Sequence, residues 1–225
     1  MNMNADKAEM ELVLKPIGDF SVTGEGGHSA WKTIEWSVLG RVGAGAANHV
    51  TRFKTAYSST GLYFLFDCQD HTLTCTGLPD NGNLFAEDVV EVFLWPDERH
   101  PLYFEYEISP LGAQLPILVS NNGGAFYGWL PWHHEGPRRC QAATAIRGGD
   151  RVPGAVVEGW MAEFFIPFAL LSGVCPPPRA GDRWRANFYR IDYDASPSSH
   201  WAWDTRTGPN FHDYQRFGNI LFGQS

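Results

Sequence analysis

From Thr51 onward the chain alternates apolar and polar residues with a period of two over many short runs, the pattern of β-strands with one buried face. Thr51–Tyr57 sets Phe53 against Arg52 and Lys54, and residues 62–67 are almost wholly apolar. With the turn at residues 58–61 between them, these two runs read as a hairpin. Residues 87–95 form a β-branched and aromatic run with acidic residues inside it. As a strand, this run places Asp88, Val90, Val92 and Leu94 on one face and Val89, Glu91, Phe93 and Trp95 on the other. Leu102–Ile108 sets Phe104, Tyr106 and Ile108 against Tyr103, Glu105 and Glu107. Residues 156–166, 184–191 and 217–222 continue the series, and Arg185, Asn187 and Tyr189 share one face of the second. Weaker strand patterns cover Glu11–Pro16, Gln141–Arg147 and residues 113–119, the last interrupted by Pro116. Residues 129–137 and 196–213 read as aromatic loops, the second holding His200, Trp201, Trp203 and His212.

No helical pattern exceeds about two turns. Many short strands separated by Gly/Pro turns predict an all-β fold, an antiparallel β-sandwich or jelly roll with few short helical turns. No linker-like shift divides the chain. The expected organisation is a disordered or tag-like stretch over residues 1–10, then one domain over 11–225.

The chain has 225 residues with 9 Trp, 24 Gly and 15 Pro, a globular composition rich in turn formers. A formal net charge of -8 argues against nucleic acid or anionic membrane as the main partner. No apolar run is long enough to insert into a membrane. The polar start lacks a signal-peptide core, which taken literally indicates a cytoplasmic protein, or else a chain whose export signal has been removed. Cys68, Cys75, Cys140 and Cys175 match neither a zinc site nor a redox pair. Cys68 and Cys75 are close enough in sequence to bridge a loop, and free buried thiols are the alternative.

Glu91 stands among aromatics in mid-strand, where an unpaired carboxylate costs several kcal/mol to bury, so it must meet water, a partner or a ligand. If neighbouring strands adjoin, Glu91, Glu105, Glu107, Arg185 and Asn187 form one patch of carboxylate, guanidinium and amide rimmed by aromatics. Planar hydrogen-bonding groups match sugar hydroxyls, and rings match the C–H faces of a pyranose. The same carboxylates also suit a solvated sheet face with salt bridges to Arg185 or Arg190. Asp70, Asp80 and Asn81 lie in a long polar loop suited either to cation coordination or to ordinary turn chemistry.

Several blocks, in order, resemble the family 9 carbohydrate-binding modules and their relatives, the DOMON-like sandwiches. They are residues 51–70, 87–94, 103–112, 160–167, 181–190 and 211–222. The resemblance implies a non-catalytic β-sandwich, secreted or periplasmic, that binds a mono- or oligosaccharide and often carries structural calcium. Asp70 and Asp80 are the metal-ligating candidates. Where family members sandwich the sugar between two tryptophans, the matching positions here are Phe85 and Arg190. Glu91 and Asn187 match hydroxyl-binding positions, and Glu105 is expected to orient Arg185 or the ligand. Asp88 fits the motif, but its opposite face suggests a structural role. Trp129, Trp132, Trp201 and Trp203 are candidates for a ligand rim.

Three rival readings remain at this level. A haem-binding sandwich would use Met161 and His212 as axial ligands. A small glycosidase would use two of the three glutamates. A protein-interaction domain would need no small ligand.

Overall fold

The computed structural model describes residues 9–45, 48–131 and 133–224. Residues 1–8 of the expected tag-like stretch, and Trp132 of the expected rim, lie outside the described residues. Glu9 and Met10 belong to the folded part. The Glu9 carboxylate pairs with Arg185 at 3.0 Å, and the Met10 carbonyl accepts the Asn219 amide at 2.8 Å.

In chain order the strands are β1 (Glu11–Pro16), β2 (Ser37–Val38), β3 (Gly40–Val42), β4 (Thr51–Tyr57), β5 (Gly61–Gln69), β6 (Val89–Trp95) and β7 (Leu102–Ile108). They continue with β8 (Gln114–Asn122), β9 (Ala125–Trp129), β10 (Gln141–Arg147), β11 (Gly159–Pro167), β12 (Arg183–Asp192), β13 (Ser199–Ala202) and β14 (Gly218–Phe222). One short α-helix, Phe168–Leu171, and a few 3-10 turns complete the elements. Among the described residues no helix is long and apolar enough to cross a membrane.

Two sheets pack face to face. The first runs β10-β11-β5-β4, with β2 beside β4; the second runs β14-β12-β6-β7-β8-β9, with β13 and β3 continuing from the end of β12. Most pairings are antiparallel. The exception is β1, which lies parallel to both β14 and β4 and so joins the two sheets. The all-β, mainly antiparallel sandwich expected from the sequence is what forms, with the parallel pairings of β1 making the whole mixed.

The inner faces make the main core. Phe53, Phe64, Phe66, Trp160 and Phe164 from the first sheet meet Val90, Val92, Leu94, Phe104, Tyr106 and Phe188 from the second. On β4, β6 and β7 these are the apolar faces that the alternation predicts. Trp201 and Trp203 join this core rather than a ligand rim, while Trp129 is exposed. The four cysteines are free thiols.

The outer faces are covered too. The segment before β2 lays Trp31 and Ile34 over Tyr63, Leu65 and Phe165 of the first sheet, with Met161 against the same cluster. There the buried Glu163 carboxylate accepts from the Trp31 indole at 2.7 Å and from the Thr23 and Gly24 amides. On the second sheet, the segment after β13 folds Phe211, Tyr214 and Phe217 over Phe93, Tyr103 and Tyr189. It covers only part of that face, and the uncovered part is a cavity.

Candidate ligand site

The cavity on the outer face of the second sheet has a volume of about 450 Å³, within the range of small-molecule sites. Its floor is made by β6 and β7, which present Glu91, Glu105 and Glu107. One wall is the turn before β6, carrying Phe85; another is β8 and β9, carrying Val119 and Phe126; a third is the segment after β13, carrying Phe211 and His212. Phe85 is 49% exposed and Phe126 45%. Two large rings thus stand half-free at the cavity wall, where most rings of this chain are buried.

The ladder explains the floor. In the β6–β7 register Glu91 lies opposite Glu107 and Phe93 opposite Glu105, so all three carboxyls emerge on one face. All three residues are buried, Glu107 completely. Burial, then mutual repulsion, pushes Glu107 up to about 11 and holds Glu91 well above the usual carboxylate range. Burial pushes Glu105 up to about 7, against a hydrogen bond shared with Glu107. Apart from that shared proton, Oε2 of Glu105 and both oxygens of Glu107 have no well-formed hydrogen bond, although the Phe85 amide lies near Glu107. Across the cavity, burial lowers His212 to about 4, leaving a neutral imidazole at neutral pH. Its Nδ1 bonds the Tyr103 hydroxyl at 2.7 Å, and its ring stacks on Phe126 with centroids 4.1 Å apart.

Glu91, Glu105 and Glu107 border this cavity, as the strand alternation suggests, and so does Phe85, the position taken from the family resemblance. Asn187 and Arg190 do not, and their expected roles are corrected. Asn187 shares the face of Glu91 but is fully buried, and its amide nitrogen is spent on the Tyr189 hydroxyl, the Asp204 carbonyl and Thr207. Its carbonyl oxygen accepts the Asp204 amide at 2.8 Å. It anchors the segment after β13 to β12.

Arg190 lies on the opposite face of β12, inside the sandwich. It donates through Nη2 to Asp70 at 2.9 Å and Asp192 at 2.7 Å, with its guanidinium over the Trp160 and Trp201 rings. An odd-to-even step along a strand changes face, so Arg190 cannot share a site with Asn187. The expected contact between Glu105 and Arg185 is also absent. Arg185 turns away to the Phe217 carbonyl and pairs with Glu9 and Glu98.

Asp88 fills the structural role expected of its face. Its carboxylate accepts the Thr74 amide at 2.7 Å and the Tyr193 amide at 2.8 Å, tying the loop after β5 to the end of β12. Next to it lies a cluster of acidic groups and one imidazole. Ligand atoms of His49, Asp70, Asp192 and Asp194 lie within 4.8 Å of one another. Asp70 is one of these four. Asp80 is elsewhere, accepting the Gln114 amide and pairing with Arg139.

The haem pairing does not form, because Met161 lies on the outer face of the first sheet and His212 on the outer face of the second. Phe126 and Phe211 escape sequence reasoning. Phe126 lies in a strand exposed along its whole length, so no alternation marks it. Phe211 opens the block 211–222 of the family resemblance, but neither that block nor the aromatic density of its segment assigns it to a site.

No protein-family profile matches the sequence, and no curated protein matches it. Among solved structures, a candidate carbohydrate-binding protein from Bacteroides uniformis superposes with a TM-score of 0.73 at 16% identity, over 96% of this chain and 100% of that one. Two family 9 carbohydrate-binding module structures from Caldicellulosiruptor kristjanssonii follow, each at 18% identity over 96% of this chain. The complex with cellotriose has a TM-score of 0.66 over 95% of its chain, and the complex with glucose 0.65 over 97%. The chain has the family 9 module fold. At these identities the family 9 likeness concerns architecture, and the site must be argued from its own residues.

Proposed function

We propose that this chain is a non-catalytic carbohydrate-binding module, taking a sugar unit into the cavity on the outer face of the second sheet. The observation that carries this reading is the pairing of half-exposed Phe85 and Phe126 with a floor of hydrogen-bonding carboxyls short of partners. The rings offer flat apolar surfaces to C–H faces, and the carboxyls offer acceptors, or donors when protonated, to hydroxyls. The family 9 modules of the same fold are complexed with cellotriose and glucose, which supports a sugar in this role. An extracellular or periplasmic location goes with this reading.

Catalysis fits the geometry less well. A glycosidase flanks the scissile bond with two carboxyls, whereas Glu91, Glu105 and Glu107 stand side by side on one floor with no carboxyl across the cavity among the described residues. Calorimetric titration with mono- and oligosaccharides tests the module reading, since no described tryptophan lines the cavity to report by fluorescence. Saturable binding that Phe126→Ala weakens supports it; no heat from any sugar overturns it.

We also propose that Asp70, Asp192 and Asp194 hold a structural divalent cation of the calcium type. Asp70 is fully buried at its side chain, and its Oδ1 and that of Asp194 have no hydrogen-bond partner. Three carboxylates suit calcium's demand for oxygen ligands. His49 is then an orienting group, bonding Asp192 through Nδ1 at 2.8 Å. The ion would tie the loop after β5 to the end of β12.

A further inference from the structure

The floor of the cavity carries more negative charge capacity than a neutral sugar can use. Glu91, Glu105 and Glu107 converge from two adjacent strands, all buried, and beyond the proton shared by Glu105 and Glu107 three of their oxygens have no well-formed hydrogen bond. Such groups are costly unless a donor or a positive charge meets them. Nothing in the wall supplies that charge. No Lys or Arg is among the described lining residues, and Arg185, the nearest expected cation, turns away to the Phe217 carbonyl. The ionisable groups that face the floor are Tyr103 on β7, Tyr189 on β12, and His200 and His212 from the segment bearing β13. Tyr193, beyond the end of β12, also acts on Glu91. Burial lowers both histidines, so they add no positive charge at neutral pH.

We infer that the sugar bound here bears a free primary amine, and that its ammonium group pairs with the Glu91–Glu105–Glu107 floor. The inference rests on the carbohydrate reading above and names its ligand class as an amino sugar that is not N-acylated. The apolar walls suit the ring, and the floor suits the cation. A compact ammonium has three N–H donors, one for each carboxyl of the floor. Without ligand, the carboxyls hold protons because they cannot all ionise together. With the ammonium in place, one carboxyl of the floor ionises against it. Its O–H bond breaks, the proton passes to the buffer base, and no other covalent bond changes. A neutral sugar gives no such exchange.

The test is calorimetry at pH 7 with the methyl glycosides of glucosamine, N-acetylglucosamine and glucose, each run in two buffers of different ionisation enthalpy. The galactosamine and mannosamine series is run alongside. The inference expects an amine glycoside to bind at least about tenfold more tightly than its neutral and N-acetylated counterparts, with net proton release seen only for the amine. In Glu107→Gln this preference shrinks to within about threefold. The wild-type series stands without the variant, should the variant fold poorly. Equal or tighter binding of the neutral or N-acetylated sugar overturns the amine assignment and leaves the carbohydrate reading in place. Amine binding without proton release also overturns it. Silence from every sugar overturns both.

Discussion

Glu91 and Glu107 are direct partners across the β6–β7 ladder, with both side chains on the outer face of the second sheet. Like charges so placed destabilise a sheet. Burial first, and then repulsion within the Glu91–Glu105–Glu107 group, keeps both carboxyls protonated in the folded chain to higher pH than in the unfolded one, where they return to the ordinary value of 4.5. The extra protons favour folding at low pH. Their contribution is complete below about 4.5 and is lost as pH rises, through about 7 for Glu105 and towards about 11 for Glu107. The denaturation midpoint of the free protein should fall from pH 5 to pH 9. Glu107→Gln should flatten that fall, matching wild type near pH 4 and exceeding its stability by on the order of 2 kcal/mol at pH 8. Urea titrations at several pH values check this, and a parallel loss in both proteins would refute it.

Phe126→Ala should weaken sugar binding by about tenfold, or ~1.4 kcal/mol. The ring is half-exposed and packs mainly on His212, so the unfolding midpoint should move little. Phe85→Ala should behave alike. Affinity and thermal melting measured on the same samples separate a ligand role from a packing role.

Arg190→Met should leave the sugar affinity of the folded protein unchanged, since the guanidinium is inside the sandwich. It should cost about 3–5 kcal/mol of stability, because Asp70 and Asp192 lose their buried positive partner. Equilibrium denaturation gives the cost, and calorimetry at low temperature gives the affinity. A loss of binding without a loss of stability would return Arg190 to the site.

Adding calcium at a hundredfold excess over its Kd should stabilise the fold by ~2.7 kcal/mol, a rise in Tm of about 5–10 °C for a chain of this size. Chelator should reverse it. Asp194→Asn should abolish the shift, and Asp80→Asn should not. A melting curve indifferent to calcium in wild type would remove the cation from Asp70.

The alternation in β4 to β7 made the inner core and the carboxylate floor legible, because a strand with one buried face writes its orientation into every second residue. Glu91 and Glu105 followed from that, and Phe85, in the turn before β6, came from the family resemblance alone. Arg190 did not, because a motif position says where a residue stands in line but not which face its side chain takes. In β12 both faces are buried, so burial leaves no alternation to separate Arg190 from Asn187. The segment after β13 was legible as aromatic and, from Phe211, as a block of the family resemblance, but not as a cavity wall. It forms its wall through bonds such as Asn187 to the Asp204 carbonyl, a pairing that no local pattern encodes. Pro116 misleads in the other direction. β8 keeps it within a continuous strand because β9 pairs only with Leu118–Asn122, leaving β8 an edge at that point, where a missing amide is tolerated.

That short pairing has a further consequence. Phe126 rides on β9, the last strand of its sheet, held on one side only and joined to β8 through Gly123 and Gly124 at positive φ. Terminal hairpins of this kind open at low free energy, independently of the global unfolding of the domain. The ring that completes the cavity wall is thus carried by an edge strand, while the carboxylate floor belongs to the middle of the sheet. Ligand capture draws on the fraction of time the hairpin is zipped, so changes far out on β9 would tune affinity through order alone, without touching the sugar.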